Sequence, residues 1–208
     1  MKGYKNLIKL VSIGFVDGFY YKPRVDHDVL RQYSEGLIAL SACLAGEVQS
    51  YIMADEISKA EEAALLYKDI FKDDFYLELQ DHGIEEQKKV NRQLVEFSRR
   101  LEIPLVCTND VHYICREDAK AHEVLLCIQT GKTMDDEDRM RFQTEEFYLK
   151  SPEEMAELFK YVPEALENTV KIAERCNVEF VFHELKLPQY DVPEGFTAEE
   201  YLRKITSD

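Results

Sequence analysis

Three short apolar runs punctuate the chain, and between them the apolar residues recur at helical rather than alternating intervals. Runs of this length, each closed by Gly, Asn, Asp or Ser within a few residues, predict strands over Leu37 to Ser41, Phe75 to Gln80 and Leu105 to Thr108. Between the strands, Ala60, Ala63, Ala64, Tyr67, Ile70 and Phe71 make one apolar helix stripe. Val90, Leu94, Phe97 and Leu101 make a second. Helices of this kind suit crossover connections, so the order of elements predicts an α/β fold with largely parallel strands.

Beyond residue 115 the helical pattern takes over, from Glu117 to Ile128 through Val124, Leu125 and Ile128, with a loop from Gly131 to Arg141. Ser151-Pro152-Glu153-Glu154 then reads as a complete helix start. It has a serine cap, a proline where the missing N–H costs nothing, and a glutamate able to reach back. A further helix is expected from Pro163, with Leu166, Val170, Ala173 and Cys176 on one face. The turn-rich stretch Leu187 to Phe196 reads as a linker, and Thr197-Ala198-Glu199-Glu200 repeats the capping pattern ahead of a helix expected to be cut short at Asp208.

Composition narrows the picture. At 208 residues and 45% apolar content, the chain is long enough for one full core or a large piece of a bigger one. No apolar run approaches the ~20 residues of a membrane span, and the opening Met1-Lys2-Gly3-Tyr4-Lys5 lacks the organisation of a secretion signal. No membrane partner and a cytoplasmic location are expected. Five cysteines without framework spacing fit reduced thiols, with Cys107 and Cys127 in apolar runs read as core. A net charge of −15 opposes a general grip on nucleic acid, so any such contact must be local or borrowed.

Candidate chemistry gathers where the strands end, because connecting loops converge at the carboxyl ends of parallel strands. If the backbone stays extended past the third strand, Asp110 and His112 in Thr108-Asn109-Asp110-Val111-His112-Tyr113 project to the same side and can meet on one cation. Carboxylate and imidazole are ordinary ligands for zinc, manganese or iron. An ordinary polar strand end is the competing reading. Cys43, after the first strand, is either a third donor at this rim or a small buried residue. His82, in Gln80-Asp81-His82-Gly83, is either a rim imidazole or a capping histidine, and periodicity leaves the direction of Glu78 open. Arg24 is read as a phosphate contact or a surface ion-pair partner. His122 and His183 are read as structural or solvated, and His27 has no obvious partner in sequence. The chain has no phosphate-binding glycine loop, dinucleotide fingerprint, nucleophile elbow or paired-cysteine zinc spacing.

Several of these stretches together resemble the polymerase and histidinol phosphatase (PHP) domain at the amino end of bacterial DNA polymerase III alpha subunits. They are Gly36 to Glu47, Phe75 to Gly83, Cys107 to Tyr113, Ala121 to Leu126, Glu146 to Ser151 and Pro193 to Phe196. The resemblance implies a distorted (β/α)7 barrel followed by C-terminal helices, with residues 1–186 as the C-terminal part of the PHP domain. Residues 187–208 are then the linker and the start of the helix leading to the polymerase palm. It also implies divalent metal ions, zinc or manganese, with Cys43, Asp110 and His112 on ligand positions and His82 nearby.

The implied function is that of a DNA-directed DNA polymerase subunit whose PHP domain is a metal-dependent phosphoesterase, with 3′–5′ exonuclease proofreading in some members. A bracing module without catalysis is the alternative, and a stand-alone PHP phosphatase a third. The implied partners are the rest of the alpha subunit, DNA and replisome subunits. The family's opening His-x-His strand and Thr-Asp-His segment do not occur ahead of Gly3-Tyr4-Lys5. The barrel is therefore expected to be incomplete here, the fragment inactive by itself, and an uncovered strand edge prone to self-association.

Overall fold

The computed structural model describes residues 1–185, 187–188 and 190–207. In chain order the elements are α1 (Lys2–Val16), α2 (His27–Tyr33), β1 (Ala39–Leu40), α3 (Glu47–Met53), α4 (Ile57–Phe71), β2 (Phe75–Leu79), α5 (Glu85–Leu101), β3 (Leu105–Cys107), α6 (Ala119–Thr130), α7 (Pro152–Leu158), α8 (Pro163–Arg175) and α9 (Ala198–Ser207). Residues 1–178 form one compact unit and the chain from residue 179 a second. The described part of the second unit contains α9, whose start is fixed by Thr197 and Glu200. The Glu200 N–H donates to Thr197 Oγ1, and Thr197 N–H and Oγ1 both donate to the Glu200 carboxylate. The expected end of this helix at Asp208 lies outside the described residues.

In the first unit the three strands form a parallel sheet in the order β1-β2-β3. Ala39 pairs with Phe75, Leu40 with Tyr76, and Leu77, Glu78 and Leu79 with Leu105, Val106 and Cys107. Parallel strands need helical crossovers that cover the sheet, which is why β2 reads as an almost unbroken apolar run with only Glu78 interrupting it. Phe75, Leu77 and Leu79 are buried in one core with Leu94 and Phe97 of α5, Ala60, Ala63 and Ala64 of α4, Val48 and Ile52 of α3, and Ala165 of α8. The small alanine face of α4 lets its backbone approach its neighbours closely. Across α5, acidic residues open the first turn and Arg99 and Arg100 close the last, each charge opposite in sign to the helix-dipole end beside it.

Two helical faces differ from expectation. On α8 the inward side carries Ala165, Asn168 and Ile172, while Val170 is 58% exposed. The Asn168 side chain donates to the Leu105 carbonyl at 2.8 Å; Leu166 packs on the core as expected, but Val170, Ala173 and Cys176 face outward. On α6 the buried residues are Leu126 and Cys127, and Val124, Leu125 and Ile128 face outward. Spacing located both helices but not the side each one presents.

Candidate functional site

Because all three strands run parallel, the chain leaves β1, β2 and β3 at one rim, through Ser41-Ala42-Cys43, Gln80-Asp81-His82 and Thr108-Asn109-Asp110 respectively. At the β1–β2 side the rim is knitted shut by hydrogen bonds. The Glu78 N–H and the Gln49 amide both donate to Ser41 Oγ, at 2.9 and 2.6 Å. The Glu78 carboxylate turns toward the rim and accepts from the Ala42 N–H, from the Gln80 amide and from the Thr108 hydroxyl. Ala42 takes a positive φ of 68° to bring its N–H there. Cys43 is exposed beside this network and borders a hollow of about 10 Å³, at the lower limit for one water. The thiol is thus neither a buried small residue nor in contact with a second sulfur or imidazole among the described residues.

His82 is 1% exposed, so its imidazole does not face solvent. One ring nitrogen lies 2.7 Å from the Asn109 carbonyl, which can only accept, and the other lies 2.9 Å from the Gln87 amide nitrogen. This network assigns the proton to Nε2 and leaves Nδ1 as acceptor. The ring stacks on Phe147 at 3.9 Å between centroids. Burial is the main reason its pKa is held below the ordinary histidine value, with the Asn109 carbonyl opposing the shift. His82 therefore clamps the loop that carries Asp110 to the segment that carries Phe147.

That loop is not the extended strand end expected from the sequence. Asp110 adopts a left-handed φ of 47°, so simple alternation of side chains fails at this residue. The Asp110 and His112 side chains nonetheless meet, with Oδ1 and Nε2 3.4 Å apart and both groups about one-third exposed. Two anchors bring them together: the Asn109 amide donates to the Tyr148 carbonyl at 2.7 Å, and the His112 N–H donates to the Phe147 carbonyl at 2.8 Å. Around His112 stand Phe142, Phe147 and His122, the last at 5.4 Å between ring centroids. His122, read from the sequence as structural or solvated, instead lies beside His112 and Phe142, because helical spacing alone did not give its orientation. Its pKa is lowered by partial burial and then by the neighbouring His112. His27, for which the sequence offered no partner, lies 3.3 Å from the Glu47 carboxylate, to which the Tyr67 hydroxyl also donates. Arg24 is exposed in the segment between α1 and α2, with its guanidinium over the Tyr20 ring.

Asp110 and His112 are chemically suited to a divalent cation, but two donors fall short of the four that hold zinc. Among the described residues no group of three or more His, Cys, Asp and Glu side chains is arranged to hold a metal ion.

Residues 1–82 match the model of the PHP domain. Over 206 residues the chain is 51% identical to DNA polymerase III subunit alpha of Borreliella burgdorferi, a match covering 98% of this chain and 18% of that protein. Residues 1–82 thus resemble a PHP domain, and nearly the whole chain is similar in sequence to DNA polymerase III alpha subunits. The corresponding protein of Treponema pallidum is 48% identical over 205 residues, and that of Thermus aquaticus 45% over 210, each covering 98% of this chain and 18% and 17% of the relative. The chain thus spans less than a fifth of the length of these relatives. The PHP match takes in β1, β2, Cys43 and His82, whereas Asp110 and His112 lie past its end but within the stretch shared with the alpha subunits. No described helix is long and apolar enough to cross a membrane.

Proposed function

We propose that this chain is part of a replicative DNA polymerase III alpha subunit, and that its rim lends Asp110, His112 and Cys43 to a divalent-metal site completed by donors from outside the described residues. The observation that carries this reading is the convergence of Asp110 and His112 at the carboxyl end of a parallel sheet. A dedicated clamp through His82, Asn109 and Phe147 supports the pair. Metal ligands held by buried partners of this kind are pre-oriented before the ion arrives. In the whole protein the sheet would belong to a (β/α)7 barrel doing metal-dependent phosphoester chemistry, 3′–5′ exonuclease included. DNA synthesis and contacts with DNA and replisome subunits would lie with the full alpha subunit, in the cytoplasm. The described residues bring only two donors together, so the remaining ligands of this proposed site must come from outside them. A bracing module is the second reading, favoured by the closed hydrogen-bond network over Glu78.

Zinc or manganese titration followed by dialysis and metal analysis separates these readings. Retention by the native chain well above that of a His112→Ala variant is expected, and equal retention refutes the metal role. Light scattering on the same preparation tests whether the outward edge of β1 recruits a second copy; a monomer removes that proposal.

A further inference from the structure

Among the described residues Lys150 is the one lysine or arginine that is buried, with 3% of its side chain exposed. An ammonium group is rarely taken out of water unless it is paired, and the pairing here is partial. The Glu146 carboxylate stands 3.6 Å away and is already engaged by both terminal nitrogens of the Arg116 guanidinium. What Lys150 holds closely is backbone and ring. Its Nζ donates to the Glu146 carbonyl and lies 4.4 Å from the centroid of the Tyr148 ring. Burial pulls its pKa below the ordinary lysine value, with Glu146 opposing the shift.

The segment gripped in this way supports the Asp110–His112 pair from behind. The Phe147 carbonyl accepts from the His112 N–H at 2.8 Å and the Tyr148 carbonyl accepts from the Asn109 amide at 2.7 Å, so Asp110 is slung between two successive carbonyls. With the Glu146 carbonyl held by Lys150, the row is three long. A parallel bridge between Tyr113 and Tyr148 continues the contact, and the Leu149 N–H donates to the Tyr113 carbonyl at 3.1 Å. Arg116 also lies over the Tyr148 ring, at 4.8 Å, but its side chain is 48% exposed. Solvent screens that cation, and the buried lysine is left as the strong fixed charge against the ring.

We propose that Lys150 is a positioning residue of the rim: its buried ammonium fixes the carbonyl row of residues 146–148, and the row sets where the Asp110 and His112 side chains meet. The lysine acts through backbone and ring, as partners behind a ligand do. Its effect on a bound cation rests on the metal reading proposed above. Its effect on the order of the loop does not.

The test is amide hydrogen exchange, followed by NMR on the full chain, with zinc affinity measured beside it. In Lys150→Met the His112 N–H should exchange about tenfold faster or more, the worth of one hydrogen bond to a charged group, while the Leu77 and Leu79 amides of β2 keep their rates. Lys150→Arg keeps the charge and should stay near the native rate. Lys150→Gln keeps a donor without the charge; it should fall between the two, and it decides the matter if the Met variant does not fold. Ile70→Val, a core change on α4, controls for lost stability and should leave His112 alone. Zinc affinity should fall about tenfold in Lys150→Met and recover in Lys150→Arg. Native exchange at His112 in the Met and Gln variants overturns the proposal. So does an acceleration shared by the β2 amides or by Ile70→Val, or faster exchange with zinc affinity unchanged, since each makes Lys150 a residue of the fold alone. If the native chain binds no zinc, the metal reading fails, and the exchange pattern decides the role of Lys150 by itself.

Discussion

Two stretches of one rim are built on opposite principles. Over the ends of β1 and β2, Ser41, the Gln49 amide N–H, Glu78 and Gln80 bond to one another and to Thr108 at the end of β3; Glu78 accepts three hydrogen bonds, and Gln49 Oε1 is the buried atom left over. At the end of β3, the Asp110 and His112 side chains meet at their polar atoms with only aromatic rings around His112, and the hydrogen bonds lie a layer behind them, in His82, Gln87 and Asn109. The first arrangement spends its polar groups on stability. The second leaves donors exposed and invests in holding them still, as a ligand site requires. The comparison teaches that polar content at a rim does not by itself mark a site; what separates the halves is whether the polar atoms are already occupied.

The largest effect is expected where the clamp is removed. His82→Ala deletes a buried ring stacked on Phe147 and leaves the Gln87 amide and the Asn109 carbonyl without a partner. Unfolding free energy should fall by about 3–5 kcal/mol in urea denaturation. The native protein should also lose stability in acid through this residue. Its folded pKa lies below the ordinary 6.5, so its contribution is full above that value and is lost as pH falls through the folded pKa. The variant should show a shallower decline between pH 7.5 and 5; an unchanged slope would remove His82 as a buried neutral group.

Next comes the knitted half. Glu78→Ala removes the acceptor for the Ala42 N–H, the Gln80 amide and the Thr108 hydroxyl at once. About 2–3 kcal/mol of stability should go with it, with Ala42 free to leave its positive φ. Zinc retention should change less than in His112→Ala. The reverse order would mean that Glu78 itself is a ligand and that the contrast between the two halves is false.

How much of this was legible depends on how local each signal is. The strands around Phe75–Leu79 and Leu105–Cys107, the helices carrying Ala60–Phe71 and Val90–Leu101, and the caps at Ser151 and Thr197 are written in neighbouring residues. The Asp110–His112 pairing was also visible, although for a reason that does not hold, because Asp110 is left-handed and not extended. Illegible were features set by distant partners. The outward turn of Val170 on α8, the outward face of α6, the approach of His122 to His112 and the direction of Glu78 each depend on contacts that no spacing encodes.

The smallest stability change should come from the pair that carries the proposed chemistry. Asp110 and His112 are partly exposed and their carboxylate–imidazole contact spans 3.4 Å, geometry for which solvent screening leaves little net energy. Replacing both by groups that keep the left-handed backbone and the aromatic contacts, as Asp110→Asn/His112→Phe, should move unfolding free energy by no more than about 0.5 kcal/mol while abolishing whatever zinc retention the native chain has. Such a split between a negligible structural cost and a complete loss of binding is what separates donors held for a ligand from residues held for the fold. A loss comparable to that of Glu78→Ala would place the pair among the bracing contacts that hold the fold.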